Sequence, residues 1–176
     1  RLAPLDVGPV DEIGCFDLSG SGIVEVTDPS GLFVSRHVEP VAGTCLTVTV
    51  EGRRALLAEV QALVADSLGG PPRRAVSGLD SARVAMLLAV VQRRVGIRLS
   101  NMDVYASTVG GASLRTHAAD LPLALAIASA QSGAPLGGGL VAFGEVGLAG
   151  ELRRVPHTKQ RLAEAARLGC RFAIVP

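Results

Sequence analysis

The feature that most limits what this chain can fold into is an apolar repeat at helical spacing, set among strand-like segments. Val84, Leu87, Leu88, Val91 and Val95 recur every three or four residues, which places them on one face of a helix over about Asp80 to Val95. Gly96 supplies its stop, because glycine adopts the left-handed conformation that ends a helix. Val104–Val109 then reads as a buried strand ending at Gly110-Gly111, and an alanine-rich second helix covers about Ala118–Gln131, with Pro122 tolerated in its first turn. Gly137-Gly138-Gly139 is a loop, Leu140–Phe143 and Leu148–Leu152 are strands joined through Gly144 and Gly147, and Thr158 caps a last helix to Leu168. Gly169 follows that helix, and Arg171–Val175 is a closing strand.

Upstream of the first helix the signals are strands and turns. Ile13–Leu18 and Ile23–Val26 flank a Ser19-Gly20-Ser21-Gly22 turn, and Asp28-Pro29-Ser30-Gly31 is a second turn. Thr44–Val50 alternates β-branched residues and ends at Glu51-Gly52. Periodicity alone leaves Arg54–Leu68 open between strand and helix; a strand over Leu57–Val64 is preferred. Residues 1–10 carry two prolines and little pattern, and read as a linker or a foreign leader, so the expected domain is 11–176. Strands alternating with helices over the second half give an α/β or α+β domain.

The core has to be made of Val, Leu, Ile and Ala, since 48% of residues are hydrophobic but only 3% are aromatic. So few aromatics also argue against a reader that stacks nucleic-acid bases on its side chains. Net charge is +1, so any case for DNA rests on local clusters. Only Lys159 is a lysine and the other 16 basic residues are arginine, which fits a GC-rich coding bias. Cys15, Cys45 and Cys170 form no Cys-x-x-Cys pair, so neither zinc nor a disulfide framework is suggested and a reducing cytoplasm fits. His37, His117 and His157 are scattered and suggest no metal site. No apolar run reaches the length of a membrane span, and no membrane partner is expected. A start at Arg1 instead of Met suggests a piece of a longer protein.

Several ordered signatures resemble one family. These are Gly78-Leu79-Asp80-x-x-Arg83-Val84, Leu99-Ser100-x-x-Asp103-Val104-Tyr105, Val109-Gly110-Gly111, Ala119-Asp120-Leu121, and the run Phe143-Gly144-Glu145-Val146-Gly147-Leu148-Ala149-Gly150-Glu151-Leu152-Arg153. Val155-Pro156, Ala173–Pro176, Asp11–Gly14, Asp28–Ser30 and Glu59–Val64 extend the match to roughly residues 8–176. The chain resembles the C-terminal, Lon-protease-like domain of the RadA (Sms) family of bacterial DNA-repair proteins. One departure stands out: Pro4-Leu5-Asp6-Val7-Gly8 lies where the family has Lys-Asn-Arg-Phe-Gly.

The resemblance implies an α+β fold, Lon proteolytic-domain-like and ribosomal-protein-S5-domain-2-like. It also implies a parent protein with a zinc finger and a RecA-like ATPase, in which ATP, magnesium and zinc belong to the other domains. No cofactor is expected in this chain, which holds no Gly-x-x-x-x-Gly-Lys-Ser/Thr phosphate loop. Such a parent would be a homohexameric DNA motor for branch migration, acting on single- or double-stranded DNA, with RecA as a further partner. Lon-type peptidases use a Ser-Lys dyad, and alignment of the helix starts puts the lysine at Lys159 but the serine at Ala118. A methyl group cannot attack a carbonyl, and Ser113, Thr116 or His117 would need a rebuilt geometry to replace it.

The expectation is therefore a non-proteolytic ring scaffold with a sequence-independent DNA surface. Candidate phosphate contacts are Arg53, Arg54, Arg73, Arg74, Arg115, Arg153, Arg154 and Lys159, since guanidinium forks match phosphate geometry. Arg93-Arg94 is a further doublet. Arg83, Glu145 and Glu151 are candidate subunit contacts, and Arg83 also has Asp80 at i, i+3 as a local partner. The competing readings are a scaffold without DNA affinity and a Lon-type peptidase.

Overall fold

The computed structural model describes residues 16–19, 22–25, 34–35 and 39–176. Strands β1 (Phe16–Ser19) and β2 (Gly22–Glu25) pair as an antiparallel hairpin. The main sheet has six strands: β3 (Thr44–Glu51), β4 (Arg54–Asp66), β5 (Arg74–Ser77), β6 (Met102–Thr108), β7 (Leu140–Ala142) and β10 (Phe172–Ile174). Their order is β10-β7-β3-β4-β6-β5, and β4 runs antiparallel to both its neighbours while the other pairings are parallel. A short hairpin, β8 (Glu145–Val146) with β9 (Leu152–Arg153), stands apart from this sheet. The helices are α1 (Ser81–Val90), which continues as a π turn over Val91–Val95, α2 (Asp120–Ser132) and α3 (Thr158–Arg167). This is a mixed sheet with helices, an α+β arrangement.

Local chemistry accounts for the element ends. Asp80 caps α1 by accepting the Arg83 backbone N–H at 2.7 Å, and Gly96 ends the π turn at φ 81°. Gly52 sits at φ 59° in the two-residue turn between β3 and β4, where Glu51 pairs with Arg54.

The core explains why Arg54–Leu68 is ambiguous by pattern. Ala58, Val60 and Ala62 of β4 pack with α1 and α2, whereas Ala55 and Leu57 pack with Val48, Val141 and Ala165 of α3. With both faces covered, β4 has no polar alternation to betray it. The strand is real and longer than expected, at 13 residues.

Some expectations are corrected. Leu148–Leu152 is mostly a turn: Gly147 donates to the Glu151 carbonyl at 2.9 Å, Gly150 donates back to Gly147 at 2.9 Å, and Leu148 is exposed. Thr158 does not cap α3. The cap position is His157 at φ 62°, and the Thr158 hydroxyl donates to the Val155 carbonyl at 2.9 Å. The sequence also gave no sign of β5, a four-residue edge strand whose exposed Arg74, Ala75 and Ser77 lack an apolar pattern. β1 and β2 agree with the expected strands over Phe16–Leu18 and Ile23–Glu25. Residues 1–15, the Gly20-Ser21 turn centre and the Asp28–Gly31 turn lie outside the described residues. No helix among the described residues is long and apolar enough to cross a membrane.

Gly78 has to be glycine. It sits at φ 73°, and a Cβ there would lie 2.0 Å from Thr108 Oγ1 and 2.6 Å from the Ala112 carbonyl oxygen. Gly78→Ala is expected to cost about 2–3 kcal/mol, read as a lower midpoint in urea with an unchanged slope.

Candidate functional site

Two groupings of charge stand out, and they differ in kind. The first is a node where α1, α2 and β8 meet. Arg83 Nε donates to both oxygens of Asp120, at 3.0 and 3.1 Å, its Nη2 also binds Asp120 Oδ2, and the same nitrogen donates to the Val146 carbonyl at 3.0 Å. Asp120 is only 2% exposed and accepts the Val146 N–H at 3.1 Å as well. The hydrogen bond to Asp120 raises the pKa of the Arg83 guanidinium. The expected i, i+3 ion pair with Asp80 is not what the guanidinium makes. Asp80 meets Arg83 through the backbone N–H that it caps, which leaves the side chain free to turn to Asp120.

The node extends outward along the hairpin. Glu145 Oε1 lies 3.9 Å from Arg83 and 3.4 Å from Arg153, and Arg153 also binds Glu151. Its own backbone N–H, and then Arg153, hold the Glu151 carboxyl below the usual carboxylate range. Gly147 leaves room for that carboxylate, since a Cβ there would sit 2.1 Å from Glu151 Oε1. Arg153, exposed as expected of a phosphate contact, is thus already paired with two acids.

The second grouping is cationic and lies at one end of the sheet. Gln160 Nε2, in the first turn of α3, donates to the Arg53 carbonyl in the β3–β4 turn. That bond spans 107 residues of sequence and sets the first turn of α3, which carries Lys159, beside the β3–β4 turn that carries Arg53. Arg54, half-buried, shares the face of β4 that Ala58 and Val60 turn to α1 and α2, opposite to α3. Arg154 lies on the exposed segment between β9 and α3. Beneath them Arg161 is 3% exposed; it donates to the Pro156 carbonyl at 3.1 Å and to the Val48 carbonyl, and lies 5.8 Å from the Phe143 ring centre. Burial lowers its pKa. Arg161 thereby fixes the start of α3 against β3, and so sets where Lys159 stands.

The remaining candidates lie elsewhere. Arg74 pairs through Val104 with Val64, ten residues along β4 from Arg54, so the two doublets are roughly 30 Å apart. The Arg74 guanidinium donates to the carbonyls of Arg73, Met102 and Leu99, which makes it a clamp on the sheet end, and the Arg73 N–H donates to Asp103 at 2.8 Å. Arg115 is exposed beside the Arg83–Asp120 node. Sequence reasoning missed Gln160, Arg161 and the role of Asp120, and no local pattern signals contacts of such long range.

Comparison with known proteins places this arrangement. Residues 109–176 match the family described as subunit ChlI of Mg-chelatase. Over 169 residues, 96% of this chain, it is 53% identical to the DNA repair protein RadA of Mycolicibacterium smegmatis, 50% to that of Mycobacterium tuberculosis H37Rv and 46% to that of Escherichia coli K12. The chain belongs to the RadA family. It spans 35–37% of the length of these curated relatives.

The RadA-family signatures read from the sequence converge in space. Gly78–Val84, Ala119–Leu121 and Phe143–Arg153 supply Arg83, Asp120 and Val146 respectively, so the motifs that carry the resemblance build one structural node. The two positions aligned with the Ser-Lys dyad have different surroundings. Ala118 is 3% exposed, packed with Phe143 and Val155, whereas Lys159 is exposed on the first turn of α3. Cys45 is 3% exposed, and burial, and then Glu59, push its thiol up to about 12, away from the thiolate form a nucleophile needs. No group of three or more His, Cys, Asp or Glu among the described residues is placed to hold a metal ion.

Proposed function

We propose that this chain is the non-proteolytic, Lon-like (ribosomal-protein-S5-like) domain of a RadA-type DNA repair and recombination protein, working in the bacterial cytoplasm. Its role is to build a homohexameric ring and to contact DNA without reading sequence. ATP hydrolysis, magnesium and zinc belong to the rest of the protein, RecA is a partner of the whole, and the domain boundary lies near residue 11. The curated relatives, each called DNA repair protein RadA, support the repair role. The mixed sheet covered on both faces agrees with a Lon-like fold.

The observation that supports the DNA contact is the Gln160–Arg53 bond, which sets the helix start carrying Lys159 beside the turn carrying Arg53, with Arg154 in the adjoining segment. Guanidinium and ammonium groups on an exposed turn and helix start suit phosphates, and a ring of copies would repeat them into a continuous belt. At the opposite end of the sheet the Arg74 guanidinium binds carbonyls, and Asp66 and Asp103 lie beside Arg73. Arg83, Glu145 and Glu151 act in the ring by holding the hairpin that a neighbour would meet.

Replacing Arg53, Arg154 and Lys159 together by serine is expected to weaken binding of a labelled oligonucleotide by about tenfold or more at low salt, measured by fluorescence polarisation. Arg115→Ser should leave it nearly unchanged. Equal loss in both variants, or none in the first, would favour a scaffold without DNA affinity. Ala118→Ser is expected to restore no casein or peptide cleavage, because the new hydroxyl would be buried beside Phe143 and Val155. Cleavage that disappears on adding Lys159→Ala would establish the peptidase reading instead.

A further inference from the structure

Two apolar features of the surface have no part in the DNA contact. The first is Leu68, 97% exposed between β4 and β5. It is followed by Gly69 and Gly70 at φ 73° and 132° and then by Pro71-Pro72, so the chain turns sharply just beyond it. Asp66, exposed, stands two residues before it. The second is a groove of about 470 Å³ between the π turn, α2 and the β8–β9 hairpin, lined by Val91, Ile97, Leu121, Leu125 and Leu152. Arg94 also lines it, with its stem against the hairpin turn: a Cβ on Gly150 would lie 3.3 Å from Arg94 Cγ. Val95 and Leu148, 65% and 66% exposed, widen the apolar area around it.

The geometry points to a contact between copies of this chain, in which Leu68 of one copy enters the groove of a second and Asp66 meets Arg94. An isolated leucine in water and an open apolar groove are each unfavourable, and each relieves the other. The charges agree in sign: a carboxylate accompanies the knob and a guanidinium the groove. Knob and groove are different patches, so every copy both gives and receives. Such a heterologous contact closes into a ring where the rotation between copies allows. The inference rests on the ring part of the proposed function and is independent of the DNA contact, since Arg53 and Lys159 lie at the other end of β4.

The test is sedimentation velocity of this 176-residue chain over a range of concentrations, with circular dichroism to confirm that each variant is folded. Leu68→Asp is expected to raise the self-dissociation constant at least about tenfold, in line with losing one buried leucine. Asp66→Arg and Arg94→Asp should each raise it about fivefold, and the double reversal should restore it. Oligonucleotide binding by Leu68→Asp at fixed protomer concentration should match the parent chain at concentrations where both are monomeric. Self-association untouched by Leu68→Asp would overturn the knob and leave the ring standing on another surface. A chain that is monomeric at every concentration would overturn both, and association lost in both single reversals but not recovered in the double would overturn the Asp66–Arg94 pairing.

Discussion

Asp120→Ala is expected to destabilise the folded chain by about 3–5 kcal/mol, the cost of stranding a charge whose partner is buried beside it. Asp120 is 2% exposed and receives the Arg83 guanidinium and the Val146 N–H, so its removal takes the main partner of a cation and the acceptor of a backbone donor together. Domains of this size are stable by only about 5–15 kcal/mol, so this one carboxylate holds a large share. Equilibrium unfolding in urea measures it. Replacing both partners, as Arg83→Met with Asp120→Leu, should cost less than Asp120→Ala alone, because no charge is then left unpaired. A loss below about 1 kcal/mol for Asp120→Ala would mean that water screens the node, contrary to its burial.

Phe143→Ala comes next, at about 3–5 kcal/mol, the usual range for deleting a fully buried aromatic ring. Phe143 is 0% exposed, packs on Ala118 and Val155, and has the Arg161 guanidinium 5.8 Å from its ring centre. Its loss opens a cavity and takes the ring face from a buried cation. Because Arg161 sets the start of α3 against β3, the damage should spread to the cationic surface. Amide exchange at Lys159–Arg161 should accelerate, and DNA affinity should fall although no phosphate contact was changed. Phe143→Leu should recover most of the stability by refilling the space. Full stability in Phe143→Ala would contradict the packing described for this end of the sheet.

The helices around Val84–Val95 and Ala118–Gln131 were legible because one apolar face, a glycine stop and an early proline act within a few residues. β4 was only half legible, since burial on both faces erased its alternation. The β8–β9 hairpin was misread as a longer strand because Leu148 is apolar yet exposed, and pattern cannot tell an apolar turn tip from a buried strand. At the candidate site, the arginines could be named from their type and their place near element ends. Which of them share a surface could not, because Gln160–Arg53 and Arg161–Val48 join residues more than 100 positions apart. Arg74 and Arg153 looked like any other surface arginine, and only tertiary partners distinguish a carbonyl clamp and a doubly paired side chain from a phosphate contact.

The most direct test of the central claim is the salt dependence of DNA binding by this chain, with unrelated oligonucleotide sequences compared in parallel. Phosphate contacts from Arg53, Arg154 and Lys159 predict log K falling linearly with log salt, with a slope of about −3 on duplex DNA and the same affinity for every sequence. A flat salt dependence, or folded protein that binds no DNA even at low salt, would contradict it.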